Sequence, residues 1–237
     1  HRAWEDMALF QRLAREVAED AREPEMKLVL LPGMDGTGLL FRDVLAHLTS
    51  LECEVIPLPH AGPQDIDRLA RHVASRLPQS DYVMLAESFS GKIAETLLLR
   101  GDPNLKAVIF VASFLSRPGW LLPRLAAALP IKALLALPAS SLAIRWFLMG
   151  RQASDETITR FRQAVRPVPR KVLGQRLGQI AGMRFERHRF TVPALYLRPR
   201  NDVLVSDVTA QFRASFANLD VVEFGGPHFI LQARPER

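Results

Sequence analysis

Cysteine is nearly absent from the sequence, and so are the long apolar runs that mark membrane proteins. Cys53 is the only cysteine among 237 residues, which excludes an internal disulfide and suits a reducing compartment. It lies in the strand-like run 53–57 and is expected to be a packing residue rather than a nucleophile. No apolar run reaches the ~18 residues that a membrane span needs. We therefore expect a soluble, cytoplasmic protein.

Glycine and proline are too scarce for a fibrous or disordered chain, at 13 and 17 residues, whereas 48% of the residues are hydrophobic. This composition predicts a globular protein with a large core, and the length suits one domain with an insertion. Residues 1–25 carry acids and arginines where a signal peptide would have an apolar centre. We predict a helical extension there, with Met26 as a candidate natural start.

Acidic residues are scarce in one part of the chain. Residues 117–190, called the insertion below, contain 14 Lys and Arg against the three acids Asp155, Glu156 and Glu186, a net charge of +11. The remaining residues contain 17 basic and 22 acidic side chains, a net charge of −5. The sequence therefore indicates a basic module inserted into a mildly acidic protein.

Strand-like and helix-like patterns alternate on both sides of the insertion, which predicts a parallel sheet with crossover helices on both faces. Strands are predicted at 27–31, 53–57, 82–86, 107–111, 194–197 and 220–224, and helices near 39–49, 64–77, 90–100 and 206–217. Within the insertion only helix-like patterns occur, at 121–129, 131–137, 142–149, 155–165 and 172–181. We predict a core formed by residues 26–116 and 191–237, interrupted by a helical lid at 117–190.

Ser88 lies between a buried strand and a helix, in the sequence Ala-Glu-Ser-Phe-Ser-Gly of residues 86–91. This context is typical of the nucleophile elbow G-x-S-x-G, although Ala86 and Ser90 replace both glycines and Gly91 comes one position late. Two other interpretations compete. One is an ordinary turn with an exposed serine. The other is a phosphate-binding loop, which Ala86 and Ile93 disfavour because Ala hinders the loop and Ile cannot ligate Mg²⁺.

An activated serine needs a base, and the base needs an orienting acid. Asp202 and His228 each follow a predicted strand, in the chain order Ser, Asp, His of α/β-hydrolases. Taken singly, Asp202 is equally suited to a turn and His228 to an ordinary packed position. Weaker candidates are Asp220, which opens a strand, and the histidines of other segments, His47, His60, His72 and His188. Order and position together predict a catalytic triad.

Acyl transfer also needs hydrogen-bond donors for the tetrahedral oxyanion. The stretch 31–38, Leu-Pro-Gly-Met-Asp-Gly-Thr-Gly, follows the first strand, where hydrolases of this fold supply one such N–H. We assign the backbone N–H groups of Met34 and Phe89 to this role and expect Asp35 to brace the loop. The glycine spacing is not that of G-x-G-x-x-G, so a dinucleotide site is not indicated.

On these residues the chain resembles the α/β-hydrolase superfamily from about residue 26 onward. The stretch 31–38 is similar to the Leu-Pro-Gly-x-Asp-Gly loop of bacterial hydrolases and of plant phytyl-ester-synthase-like acyltransferases. The insertion is similar to the lid of pimeloyl-ACP methyl ester esterases. The resemblance implies an α/β-hydrolase fold and serine esterase or thioesterase chemistry through an acyl-enzyme, with no metal or organic cofactor. A serine nucleophile argues against dehalogenases and epoxide hydrolases, which use a carboxylate.

The insertion combines apolar side chains with regularly spaced basic ones. Trp120, Trp146 and Phe147 are candidate contacts for an apolar acyl chain. The candidate contacts for an anionic partner are Arg124, Arg145, Arg151 and Arg160. The anion would be acyl carrier protein, an anionic lipid headgroup or coenzyme A, whereas no basic-aromatic motif indicates nucleic acid. The alternative is that the apolar residues only pack the insertion on the core and the arginines form a solvated face.

The sequence thus predicts a serine hydrolase that cleaves an ester or thioester of an apolar acyl group, with an acyl carrier protein-linked substrate as one form. Two alternatives remain open. An acyltransferase would use the same triad but pass the acyl group to an alcohol, and a non-catalytic module would retain the fold only for binding. Acyl chain length, the choice between ester and thioester, and oligomeric state are not predicted.

Overall fold

The computed structural model describes residues 26–119, 140–151 and 153–233, with the backbone alone for Phe147. The predicted extension at 1–25, the predicted helices at 121–129 and 131–137, and the candidate residues Trp120 and Arg124 lie outside the described residues.

Six strands form one sheet in the order β2-β1-β3-β4-β5-β6, with every neighbouring pair parallel. They are β1 (Lys27–Leu31), β2 (Glu52–Val55), β3 (Tyr82–Glu87), β4 (Leu105–Val111), β5 (Ala194–Pro199) and β6 (Leu219–Phe224). From β1 the chain first adds β2 on one side and then adds β3 to β6 in order on the other side. The strand order therefore reverses between β1 and β3, which are neighbours in the sheet. Because all strands are parallel, the loops that follow them meet at one edge of the sheet.

The described helices are α1 (Arg42–His47), α2 (Ile66–Ala74), α3 (Ser90–Arg100), α4 (Ser140–Ile144), α5 (Asp155–Val165), α6 (Arg170–Gly182), α7 (Thr209–Ser215) and α8 (Ile230–Ala233). A 3₁₀ turn at Leu39–Phe41 precedes α1, and a π-helical segment at Arg145–Met149 follows α4. The predicted helix at 39–49 is therefore two shorter elements. The predicted helix at 142–149 likewise divides into α4 and the π segment.

The central strands are buried on both faces because their side chains are apolar at nearly every position. Successive residues alternate between two cores. One core contains Val29, Leu31, Met84, Ala86, Val108 and Phe110. The other contains Leu28, Leu30, Val83, Leu85, Ile109 and Val111. Helices α2 and α3 cover the first core through residues such as Leu69, Val73 and Ile93, and α1 covers the second through Val44.

Between β4 and β5 the described residues form helices, with one isolated parallel bridge from Phe190 to Phe216. Helix α5 begins at Asp155 because the Ser154 side chain accepts the Thr157 N–H and two acids occupy the first turn. Helices α5 and α6 form a third core with Leu40, so the insertion packs on the region that follows β1. No helix in the described part of the chain is long and apolar enough to cross a membrane.

Candidate active site

The residues predicted to form the triad come from three loops at the carboxyl edge of the sheet. Ser88 follows β3, Asp202 lies three residues after β5, and His228 lies four residues after β6. The His228 Nε2 is 2.9 Å from the Ser88 Oγ, and its Nδ1 is 2.7 Å from the Asp202 Oδ2. All three side chains are buried. The structure therefore brings together the three residues that the sequence singled out.

Asp202 is held on its other side by the backbone. Its Oδ1 accepts the N–H groups of Leu204 at 2.8 Å and Val205 at 2.9 Å. This leaves Oδ2 for the histidine, so the carboxylate favours the tautomer with the proton on Nδ1. The unprotonated Nε2 then faces Ser88 and is able to accept the hydroxyl proton.

Ser88 has a left-handed backbone conformation, with φ of 50°. For a residue with a Cβ this conformation is strained, and such strain is concentrated at functional sites. The turn is held by a 2.9 Å hydrogen bond from the Ser88 N–H to the Val111 carbonyl. Gly91 allows α3 to approach the loop after β4, because a Cβ there would lie 2.8 Å from the Ser113 Cβ. The glycine that comes one position late in the motif is thus the one the packing requires.

Ser90 stands where the motif has its second glycine, and it has a contact that glycine could not make. Its buried Oγ donates a 2.5 Å hydrogen bond to the carbonyl of Pro32, in the loop after β1. The departure from the motif at Ser90 therefore joins the start of α3 to the loop predicted to supply an oxyanion donor.

The loop after β1 is braced from within, as expected for Asp35. The Asp35 Oδ2 accepts the Thr37 N–H at 2.8 Å and the Thr37 Oγ1–H at 2.5 Å. Gly36 has φ of 73°, a conformation that glycine adopts without strain. Within the described part of the chain, the N–H groups of Met34 and Phe89 donate to no protein acceptor. That these two groups bind an oxyanion stays a prediction.

An apolar cavity of about 260 Å³ opens beside Ser88 and His228. Its walls come from the loop after β1, from the Asp202 loop and from the insertion. The insertion contributes Pro118, Leu148, Phe161, Val165, Leu173, Leu177 and Ile180. The residues of the insertion that line the cavity are thus mainly aliphatic residues of α5 and α6.

Trp146 does not line this cavity. The residue is 57% exposed, and the Arg151 guanidinium lies over its ring at 4.2 Å from the ring centroid. The π-helical segment turns Trp146 towards solvent, while Leu148 of the same segment faces the cavity. The sequence pattern predicts an α-helix here. A π-helix has a different period, so the α-helical pattern did not predict which side chains face solvent and which face the cavity. The Phe147 side chain lies outside the described residues.

Two of the arginines predicted to face an anionic partner already have carboxylate partners. Arg145 pairs with Asp155, and Arg160 pairs with both Asp43 and Glu156. The Arg160–Asp43 pair joins α5 of the insertion to α1. Much of the charge at these positions is therefore neutralised by neighbouring carboxylates.

Sequence reasoning missed two buried charged residues beside the site. Glu87, which precedes Ser88, accepts a 2.8 Å hydrogen bond from the Gln232 side chain of α8. Its burial raises the pKa to about 7, an effect that the nearby Asp35 reinforces and His228 opposes. Arg176 of α6 is fully buried and reaches the carbonyl of Met34. For Arg176, the one feature of the sequence that indicated burial was its position among the apolar residues at 172, 173, 177 and 180.

The described residues contain no group of three or more His, Cys, Asp or Glu side chains that could hold a metal ion. What the site offers is a hydroxyl, an imidazole and a carboxylate in hydrogen-bonded sequence, next to an apolar cavity. This arrangement suits proton transfer from the serine to the histidine and covalent attack by the serine oxygen.

No family model matches the sequence, and no curated protein is similar to it in sequence. Solved structures do match. An esterase from Exiguobacterium antarcticum has 13% identity and a TM-score of 0.71, covering 89% of this chain and 88% of that one. An enol-lactonase from Burkholderia xenovorans LB400 has 16% identity and a TM-score of 0.68, covering 91% and 86%. A type II thioesterase, BorB, from the borrelidin biosynthetic cluster has 20% identity and a TM-score of 0.61, covering 89% and 88%.

These likenesses extend over nearly the whole of each chain. Together with the parallel six-stranded sheet flanked by helices, they show that the chain has the α/β-hydrolase fold, as the sequence predicted.

Proposed function

We propose that the protein is a serine hydrolase that cleaves an ester or thioester of an apolar acyl group. The observation that carries this proposal is the chain of hydrogen bonds from Ser88 through His228 to Asp202, at the wall of an apolar cavity. The strained backbone of Ser88 supports it, since such strain is found preferentially at functional sites. Further support comes from similar structures that are described as an esterase, an enol-lactonase and a type II thioesterase.

In the first half of the reaction, the Ser88 Oγ attacks the acyl carbonyl while its proton moves to the His228 Nε2. The tetrahedral intermediate expels the alcohol or thiol, which takes the proton from His228. In the second half, water attacks the acyl-enzyme and gives a proton to His228, which returns it to Ser88 as the acid leaves. Asp202 stabilises the imidazolium formed in each half but is not itself protonated.

The oxyanion of each tetrahedral intermediate is proposed to accept hydrogen bonds from the Met34 and Phe89 N–H groups. Phe89 precedes the first residue of α3, so its N–H also lies at the positive end of the helix dipole. The Ser90–Pro32 hydrogen bond ties the Met34 loop to this helix and so helps to hold the two donors in register.

The cavity indicates which part of the substrate is apolar. At about 260 Å³ the cavity is large enough for a chain of several methylene groups. We propose that it takes a medium-length acyl chain, with the scissile carbonyl at Ser88 and the alcohol or thiol directed outward.

A fluorophosphonate probe and p-nitrophenyl esters test this proposal. We expect the wild type to be labelled, and Ser88→Ala to lose labelling together with at least ~10⁴-fold in kcat. Ser75→Ala is the matched control, because Ser75 is an exposed serine at the end of α2. Labelling that persists in Ser88→Ala would overturn the proposal.

The same experiment separates the alternative functions. An acyltransferase would be labelled equally but would form an ester product when an alcohol acceptor is added. A non-catalytic binding module would show neither labelling nor turnover. The buried Asp202 and its two backbone hydrogen bonds favour a working triad, because a module without catalysis has no use for a pre-oriented imidazole.

We also propose that the insertion binds an acidic acyl carrier protein. Arg145 and Arg160 already form ion pairs, so this proposal is supported instead by Arg170 and Lys171. Both are exposed at the start of α6 and form no ion pair with a described carboxylate. No acidic residue offsets them in the first turn of that helix. Cations at a helix N-terminus are unfavourable, and an external anion would relieve this.

A further inference from the structure

Arg176 is the largest fully buried side chain among the described residues, and it joins the insertion to the loop after β1. Its Nη1 donates to the Met34 carbonyl at 2.7 Å, its Nη2 to the Pro59 carbonyl at 2.8 Å, and its Nε to the Gln64 Oε1 at 2.9 Å. Every one of these acceptors is a neutral oxygen. The guanidinium therefore has no carboxylate in direct contact.

Such a cation is costly to bury. Burial lowers the pKa of Arg176 to about 10, partly opposed by the nearby Asp35, so the group remains charged near neutral pH. An arginine that only joined two segments would cost less free energy of desolvation at the surface, or in direct contact with a carboxylate. The position of this charge therefore calls for an explanation beyond packing.

The loop is shaped around the guanidinium. Gly36 lies against it, and a Cβ at this position would overlap the Arg176 Nη1. The Met34 carbonyl that accepts the Arg176 hydrogen bond belongs to the same residue as the proposed oxyanion donor. This hydrogen bond fixes the peptide between Met34 and Asp35. The preceding peptide, which contains the Met34 N–H, is held by a 3.0 Å hydrogen bond from the Gly36 N–H to the Gly33 carbonyl, so Arg176 and this turn together set the direction of the Met34 N–H.

We propose that Arg176 is a positioning residue, which helps to hold the Met34 N–H in its donor orientation and places a buried positive charge against the loop that carries this donor. This inference rests on the proposed function, because it assumes that an oxyanion forms at Ser88. In a water-poor site, a fixed cation and a fixed donor both favour the transition state over the ground state. Helix α6 of the insertion is then part of the catalytic apparatus and not only a cover over the cavity.

The test compares Arg176→Met, Arg176→Lys and Gln64→Leu with wild type, using p-nitrophenyl butyrate. We expect Arg176→Met to lower kcat by about 10- to 100-fold, with KM within about twofold. This is less than the ~10²–10³-fold cost of removing an oxyanion donor outright, because the Met34 N–H itself is still present. Arg176→Lys should recover part of the loss because it keeps the charge. Gln64→Leu removes the Nε partner, together with the hydrogen bonds of Gln64 to the carbonyls of Ala61 and Gly62, but leaves the Arg176 contact with Met34 intact. It should therefore have a smaller effect on kcat.

The affinity for a transition-state analogue separates a positioning role from a purely structural one, because the loss of a purely structural contact would leave this affinity unchanged. Affinity for a boronic acid should fall in Arg176→Met by the same factor as kcat/KM, since both depend on the oxyanion site. Arg162→Met is the matched control: Arg162 of α5 donates to the Ser140 and Ser141 hydroxyls and does not reach the loop. The Arg162→Met variant should have a lower melting temperature than wild type but the same affinity for the boronic acid.

The possible outcomes are distinct. If Arg176→Met keeps the wild-type kcat, or loses kcat while boronate affinity is unchanged, the inference is overturned and the proposed function stands. If Arg176→Met does not fold, Arg176→Lys and Gln64→Leu decide by the same comparison of kcat with boronate affinity. If the wild type shows neither labelling nor turnover, the proposed function fails and this inference with it.

Discussion

Glu87 is a buried carboxyl that directly precedes Ser88, and its raised pKa gives the fold a specific pH dependence. Burial raises its pKa from the ordinary value of 4.5 to about 7. Between these values the native state holds a proton that the unfolded chain has lost. The free energy of unfolding therefore falls as pH rises through this window and stops falling above pH 7. Over the whole window the loss is about 3 kcal/mol, at ~1.4 kcal/mol per pH unit.

We predict that Glu87→Gln removes this part of the pH dependence. The amide oxygen still accepts the Gln232 hydrogen bond, and no charge forms at high pH. Relative to wild type, the variant should gain about 2.5 kcal/mol of unfolding free energy between pH 5 and pH 8, because this interval omits the lowest part of the window. Urea unfolding at several pH values measures this difference. Glu52→Gln, at an exposed glutamate of β2, is the control; parallel curves for Glu87→Gln and wild type would contradict the prediction.

The proximity of Ser88, Asp202 and His228 could be predicted from the sequence, whereas the contacts of Arg176 and Glu87 could not. Ser88, Asp202 and His228 each follow a strand, so a parallel sheet brings them to one edge whatever the details of packing. The role of Arg176 depends on Met34, which lies 142 positions away, and on the turn at Gly36. Nothing in its neighbouring residues encodes those contacts.

Among the helices, the predicted bounds agree with the structure where capping residues mark the ends of the helix in the sequence. The bounds of α5 agree with the predicted 155–165 because Ser154 caps the helix and acids follow it. Helix α6 starts before the predicted 172, since Pro169 occupies its N-cap position. The face that Trp146 presents could not be predicted, because the π-helical segment changes the period within one element.

The wall formed by α6 gives a prediction about substrate choice. Leu173 lines the cavity and belongs to the third core, so Leu173→Trp should fill part of the space that an acyl chain would occupy. We expect kcat/KM for p-nitrophenyl octanoate to fall at least about tenfold relative to the acetate, which needs less of the cavity.

The volume-conserving Leu173→Met serves as the control for disturbed packing and should leave the ratio near wild type. If Leu173→Trp lowered both esters equally, the cavity would not be the acyl site. The cavity would also lose that role if the octanoate were preferred more strongly than before.

Across the whole molecule, the charge is divided between two parts of the chain. The insertion carries the positive charge and the core a small negative one, so the field of the protein is directed rather than uniform. Ion pairs neutralise Arg145 and Arg160, and Arg151 lies over a tryptophan. The exposed pair at the start of α6 is therefore one place, together with the exposed Arg184, Arg187 and Arg189, where the insertion still offers positive charge to an anionic partner.

We predict that the double variant Arg170→Glu, Lys171→Glu weakens binding of an acidic acyl carrier protein at least about tenfold at low salt, and that wild-type affinity falls as salt rises. Acids in the first turn of α6 suit the helix dipole, so the substitutions should not unfold the helix. The double variant Arg71→Glu, Arg213→Glu makes the same change of charge at exposed residues of the core. Calorimetry at two salt concentrations measures both. Equal weakening by the two double variants would assign the attraction to net charge alone, and wild-type affinity that does not depend on salt would exclude this surface as the docking site.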